Sequence, residues 1–434
     1  MTAPAAPRQS LPRIHPDWFW AAGVFLVTSA VRLLVVLLLA DERGKSLTSV
    51  LDRWDAMHYQ AIARGGYFET GPGIPANDFE TRLAFFPLFP FTMRLVSEIT
   101  GLSLFQAGIL INVVAGTALV AAAMFIAGHM GAGLRGRIAA GVLVAGAPMA
   151  LTYNMTYTEA MFAAFAYWAL WAMLQRRWWL AGVLVFFTCL TRLTGIDLFI
   201  VFAIVVLAWG RTRLSAWIAL VISSLGLISY LGFVQSHTRD IGGYFGLQKK
   251  GWNSTFDFGE SVLRFLRWGF SGTSDSWVVI CGFFILATVV CLLATLPSAL
   301  GSVRSGGGLG QVGGVAGVGE SALPWPVWLF SAGVAANILL SDGVLTARPR
   351  LLLPAIICLL PVALAISRGF VGDGVETGSG VAADGSPDEM RVSGGLSTAL
   401  RVMSYLRWGL LLLSWVVFGA LISGHPLIAT KWAI

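Results

Sequence analysis

With 434 residues, 56% of them hydrophobic and only 12% charged, and a mean hydropathy of +0.76, the chain is too apolar to be a water-soluble domain. About 240 apolar residues, at roughly 20 per crossing of a hydrocarbon core of about 30 Å, leave room for on the order of ten spans with their loops. The net charge of +7 rests on 29 basic residues, of which only Lys45, Lys249, Lys250 and Lys431 are lysines; the arginines are scattered over short loops, which fits a positive-inside bias and argues against nucleic acid as a partner. Regular runs of span length exclude the weak ten-residue alternation of an outer-membrane barrel, so the fold class is an all-α polytopic integral membrane protein. The cysteines Cys189, Cys281, Cys291 and Cys358 all lie in apolar stretches without metal-ligand spacing, so neither zinc nor redox work is implied.

In chain order, the first apolar run covers about 18–40, preceded by Arg8, Arg13 and His15, and reads as a retained span rather than a signal peptide. Further runs at 102–128, 138–152, 159–174, 178–191, 195–209, 214–234, 276–296, 325–341, 351–367 and 403–423 predict about eleven transmembrane helices. A cytoplasmic N-terminal tail, 1–17, then puts Arg135, Arg137, Arg176, Arg177, Arg211, Arg213, Arg304, Arg368, Arg391 and Arg401 on the inner side. Two long outer loops result, 41–101 and 235–275, with short outer segments at 153–158 and 342–350 where chemistry is expected. The Gly-rich stretch 301–319 and the segment 371–402 read as inner linkers, the latter disordered, since neither buries enough apolar surface to offset its ordering entropy. The transmembrane catalytic domain is accordingly 18–370, and 403–434 is a final span with an outer tail. No internal repeat is evident.

Within the first outer loop, residues 51–67 have helical spacing, with Leu51, Trp54, Met57 and Ile62 on one broad face and Gly65-Gly66 at the end. This predicts an amphipathic helix along the membrane surface. On it Asp55, His58 and Tyr59 stand at i, i+3 and i+4, so that a carboxylate, an imidazole and a phenol crowd together. Such a cluster can be acid–base machinery or a solvated set of salt bridges. The downstream run Ala84-Phe85-Phe86-Pro87-Leu88-Phe89-Pro90 is expected to pin the loop against the bilayer.

Arg53-Trp54-Asp55-Ala56 with His58, then Ile62-Ala63, Gly66-Tyr67 and Phe85-Phe86-Pro87, resembles in order, spacing and position the first luminal loop of the PIG-V family, which comprises GPI mannosyltransferase 2 and its bacterial relatives among the GT-C glycosyltransferases. Tyr157-Thr158-Glu159 resembles the family's Tyr-x-Glu segment. Thr191-Arg192-Leu193-Thr194-Gly195 stands where the family shows Arg-Ser-Asn-Gly, here without the asparagine. Gly243-Tyr244-Phe245 with Gln248 and Gly251-Trp252 resembles the second outer loop, and Arg348-Pro349-Arg350 the late basic motif; together these cover about 18–370.

The resemblance implies a GT-C fold and an inverting transfer of mannose from polyprenyl-phosphate mannose to a hydroxyl of a glycolipid or glycan, with an α-1,6 linkage, on the non-cytoplasmic side. Such a displacement asks for one base beside the acceptor hydroxyl and cations around the leaving phosphate. Asp55 is expected as the base, with Asp52 as fallback, and His58, Tyr59 and Glu159 as acceptor-contacting or base-orienting residues. Arg192, Arg348, Arg350 and Lys249 are expected at the donor phosphate. Arg192, inside the apolar stretch 178–209, marks a span junction or a buried anion site and is the natural partner of Glu159. For Arg348, Arg350 and Lys249 the alternative is ordinary interfacial snorkelling. No cofactor or metal is expected, because the outer loops carry no Asp-x-Asp with acidic partners. The partners are the lipid-linked donor, a glycolipid or glycan acceptor and membrane lipids. The Arg, Ala, Gly and Val bias points to a bacterial cell membrane, with the endoplasmic reticulum as the eukaryotic counterpart. A transporter or flippase of a polyprenyl-linked sugar is the alternative, using the same arginines without a base.

Overall fold

The computed structural model describes residues 15–69, 81–304, 322–372 and 387–429; among them the regular structure is helical, apart from one isolated antiparallel bridge between Phe256 and Ser341. Every predicted apolar run carries helix. The bundle comprises α1 (Asp17–Asp41), α5 (Leu104–His129), α6 (Leu134–Ala145), α7 (Glu159–Leu174), α8 (Trp178–Cys189), α9 (Gly195–Val205), α10 (Leu214–His237), α13 (Ser276–Arg304), α14 (Trp325–Leu339), α16 (Leu360–Gly372) and α17 (Pro387–Ala429). The outer loops add α2 (Leu47–Leu51), α3 (Asp55–Gly65), α4 (Leu88–Thr100), α11 (Gly243–Trp252), α12 (Glu260–Gly269) and α15 (Arg348–Leu351).

Length separates two kinds of crossing. Five helices, 17–41, 104–129, 214–237, 276–304 and 402–426, are long and apolar enough to span alone, and 345–351 with 353–368 makes a sixth if the 51° bend between them is taken as one broken span. The apolar helices 159–174, 178–189, 195–210 and 325–339 are shorter. At about 1.5 Å per residue, helices of 12 to 16 residues reach only about 18–24 Å, so these leave part of the bilayer depth to the irregular chain that joins them. The eleven expected spans thus comprise, among the described residues, five or six helices long enough to cross alone and several shorter ones. Of the expected inner linkers, 305–321 and 373–386 lie outside the described residues, and helix resumes at Pro387, within the segment expected to be disordered.

Irregular backbone at membrane depth needs partners inside the protein. After α6 stops at Ala145 the chain makes a short 3-10 turn, Ala150–Asn154, and runs irregularly to Thr158. Asn112 on α5 donates its amide to the carbonyls of Met155 (2.5 Å) and Tyr157 (2.9 Å). Arg32, fully buried on α1, donates to Asn154 Oδ1 (2.8 Å) and to the Ala145 carbonyl (2.5 Å). Asn154, in the segment 153–158 expected on the outer side, is thereby enclosed.

Tight helix contacts rest on small side chains. α5 and α7 meet through buried alanines such as Ala122, Ala123, Ala163 and Ala166, while Phe19, Leu26 and Leu34 of α1 and Val221, Leu225 and Ile228 of α10 turn outward, as lipid-facing residues do.

Two expectations for the first outer loop are corrected. Residues 51–67 do not form one helix: α2 ends at Leu51, Trp54 takes φ 51°, and α3 starts afresh at Asp55. The face resets, so Met57 is 65% exposed and the buried side is Ala56, Tyr59, Ile62 and Ala63. The Phe85-Phe86-Pro87 run does not lie on the bilayer. It is buried, with the Phe85 carbonyl accepting from Tyr67 (2.8 Å) and Tyr230 (2.7 Å) and the Ala84 carbonyl from Tyr244 (3.3 Å).

A Cβ on Gly182 would lie 2.7 Å from the Ala219 carbonyl oxygen, and one on Gly226 2.5 Å from that of Phe186, so α8 and α10 approach backbone to backbone. Gly226→Leu is expected to cost about 1–3 kcal/mol or more by overpacking and to lower the melting temperature in detergent by several degrees. Gly232→Ala, on the open face of α10, should leave it unchanged.

Candidate active site

The predicted outer segments converge at one end of the bundle around a cavity of about 240 Å³. Asp55, Tyr59, Arg192, Arg348 and Arg350 line it, together with Tyr244, Gln248 and Trp252 from α11. A helix N-terminus holds Asp55: it is the first residue of α3, where a carboxylate is favoured by the unpaired backbone amides. The turn before it is strained, since Trp54 occupies the positive-φ region without being glycine, and it is pinned by the Tyr157 hydroxyl donating to the Arg53 carbonyl at 3.2 Å.

A chain of charges links this carboxylate to the bundle. Arg350 Nη1 donates to Asp55 Oδ2 at 2.6 Å, and Arg350 Nε stands 3.5 Å from Glu159 Oε1, a charge contact without a hydrogen bond. Arg192 Nη1 bonds the same Glu159 oxygen at 2.5 Å. Burial is graded along the chain: the side chains of Glu159 and Arg350 are 2% and 9% exposed, those of Arg192 and Asp55 17% and 26%. Two buried cations against two carboxylates keep the cluster near neutral, without which so many charges could not be held out of water. Arg192 occupies the junction between α8 and α9, so the long apolar stretch is two helices with an arginine at their joint.

The remaining expected residues fall at different distances from the cavity. Glu159 does not line it and acts on it only through its two arginines. Asp52 accepts from Gln60 Nε2 at 2.5 Å and lies off the wall. His58 stacks on Phe85, ring centres 4.8 Å apart, and Lys249 is exposed; neither reaches the cavity. Tyr59, whose hydroxyl lies 3.3 Å from Thr158 Oγ1, has its phenol pushed well above its ordinary value by burial first and the Asp55 carboxylate second, so it serves as a neutral hydrogen-bonding group and not as a base. Arg348 is committed to backbone: Nη2 donates to the carbonyls of Ser341 and Asp342, both at 2.7 Å, which fixes the turn after α14. The second outer loop is stitched to that turn by Asp342 N donating to the Thr255 carbonyl at 2.7 Å.

Sequence reasoning missed Ser254, Asn337, Ser341 and Asp342, which also line the wall. The one available signal was polar residues at the end of an apolar run, Asn337 and Ser341. Among the described residues no three His, Cys, Asp or Glu side chains stand together as a metal site. A larger cleft of about 540 Å³, lined by α13, α17 and the 349–359 segment and including Pro349, which stands between the two arginines in sequence, is almost wholly apolar and has no carboxylate or imidazole in its lining.

No protein-family profile matches the chain, and no curated protein matches it. Among solved structures it is similar to ArnT from Cupriavidus metallidurans in the apo state, with a TM-score of 0.51 and 15% identity over 94% of this chain and 78% of that one. The arabinosyltransferase EmbB from Mycobacterium smegmatis overlaps at a TM-score of 0.41 and 13% identity, over 98% of this chain and 42% of that one, which carries no argument. The likeness to ArnT is one of fold, and the five or six helices long and apolar enough to cross a bilayer belong to a multi-pass integral membrane protein.

Glu159→Gln is expected to destabilise the protein by about 3–5 kcal/mol, because it takes the carboxylate from Arg192 and leaves Arg350 with Asp55 alone. Unfolding in detergent should show a strong cycle with Arg192→Met, the double variant losing clearly less than the sum of the two single ones.

Proposed function

We propose that the protein is a membrane glycosyltransferase of the PIG-V type, which moves mannose from polyprenyl-phosphate mannose to a hydroxyl of a glycolipid or glycan. The observation that carries this is the pairing of one partly exposed carboxylate, Asp55, with Arg350 and Arg192 on the wall of a single polar cavity. The order of motifs along the chain and the GT-C fold support the same reading.

In this mechanism the acceptor hydroxyl gives its proton to Asp55 Oδ1, which has no partner among the described residues, while Oδ2 stays on Arg350. The hydroxyl oxygen forms a bond to the anomeric carbon as the bond from that carbon to the phosphate oxygen breaks, and the polyprenyl phosphate leaves with the electron pair. One displacement inverts the anomeric centre. Arg192, whose Nη2 is unpartnered among the described residues, meets the charge growing on the phosphate, with Arg350 beside it. Arg348 contributes field and shape, its Nη2 being held by the 341 and 342 carbonyls and its Nη1 by Ser341 Oγ. The apolar cleft that includes Pro349 offers room for an isoprenoid chain. The reading places the site on the non-cytoplasmic face of a bacterial cell membrane, as the arginine distribution favours.

The test is transfer of labelled sugar from polyprenyl-phosphate mannose to a panel of glycolipid acceptors by the purified protein. Asp55→Asn is expected to lower kcat by about 10²–10⁴-fold while donor binding persists. Undiminished turnover in Asp55→Asn would remove the base assignment, and vectorial movement of the donor across vesicles without transfer would favour a flippase.

A further inference from the structure

α9 carries a carboxylate, Asp197, that is 7% exposed and forms no part of the cavity wall. Its side-chain partner is Asn337 on α14, whose Nδ2 lies 3.2 Å from Oδ1 and 3.1 Å from Oδ2. A carboxylate within an apolar helix is costly unless paired, and one amide satisfies only a small part of its accepting capacity. Packing does not explain it either, since apolar side chains of similar volume hold two helices at least as well. The helices are already close there: a Cβ on Gly333, one turn before Asn337, would be 3.5 Å from Asp197 Cβ.

What the carboxylate does is orient the amide. The Asn337 NH₂ faces both oxygens of Asp197, which turns the amide oxygen to the opposite side. Asn337, unlike Asp197, lines the cavity, and its Oδ1 accepts no hydrogen bond from the described residues. The residue belongs to the arginine side of the wall: Ser341 Oγ donates to the Asn337 carbonyl at 2.9 Å and accepts from Arg348 Nη1 at 3.2 Å. Thr194, two residues from Arg192, lines the same cavity.

We propose that Asn337 is a specificity-determining residue, whose amide oxygen accepts a hydrogen bond from one ring hydroxyl of the transferred sugar, and that Asp197 is the positioning residue that keeps this oxygen turned to the cavity. The proposal rests on the glycosyl-transfer reading above. A fixed acceptor on the wall of a small cavity discriminates, because a donor sugar lacking the matching hydroxyl leaves it unpaired.

The experiment measures kcat/KM of the full-length protein in lipid nanodiscs for polyprenyl-phosphate mannose and its monodeoxy analogues, one per ring hydroxyl. Wild type is expected to use one of these analogues about 10- to 100-fold less well than the parent. Asn337→Ala should close that gap at this ring position alone and leave the gaps at other positions intact. Asp197→Asn, which frees the amide to face either way, should narrow the same gap, and it decides the matter if Asn337→Ala does not fold. Parent and deoxy donors slowed by one common factor, or gaps unchanged in both variants, overturn the proposal and leave the glycosyl-transfer reading standing. A wild type that transfers sugar from no lipid-phosphate donor overturns both.

Discussion

The rest of the structure depends on Arg350 lying between two carboxylates, Asp55 and Glu159, at the end of a bundle that offers little water. Each carboxylate alone would be costly at this burial, and the two together would repel; a guanidinium between them removes both penalties at once. The bridge joins residues 295 positions apart, and so draws α15, α3 and the start of α7 to one point. Arg192 completes the arrangement by taking the same oxygen of Glu159 from the joint between α8 and α9. The position of Asp55 is thus a property of four separate segments.

Around that cluster the protein tolerates a large amount of non-helical chain at depth, and it does so with side chains reserved for the purpose. Asn112 and Arg32 hold the irregular stretch that delivers Glu159. The tyrosines at 67, 230 and 244 hold the Phe85-Phe86-Pro87 turn, and Arg348 holds the turn after α14. Asn112, Arg32 and the three tyrosines satisfy backbone carbonyls within the bundle, where helix hydrogen bonds are missing.

Several residues that look alike in sequence separate here. Arg348 and Arg350 are two positions apart, yet one braces a turn and the other touches the candidate base. Asp52 and Asp55 are three apart, yet only the second reaches the cavity, because the strained turn at Trp54 puts them on separate helices.

The amino-acid sequence alone determined the membrane-spanning helical class, the positions of nearly all its helices and the segments that come together, since hydrophobic period and length act locally and leave a direct mark on composition. The motif residues Asp55, Tyr59, Arg192, Arg348, Arg350, Tyr244, Gln248 and Trp252 could be named from it as well. Tertiary structure decided the rest: the broken helix at 51–67, the burial of the Phe-Phe-Pro run, the short crossings, the withdrawal of His58, Asp52 and Lys249, and the presence of Asn337 with Asp197 behind it. These depend on which charge finds which partner across hundreds of residues, and on which backbone groups must be satisfied away from water. Neither has a local period to read.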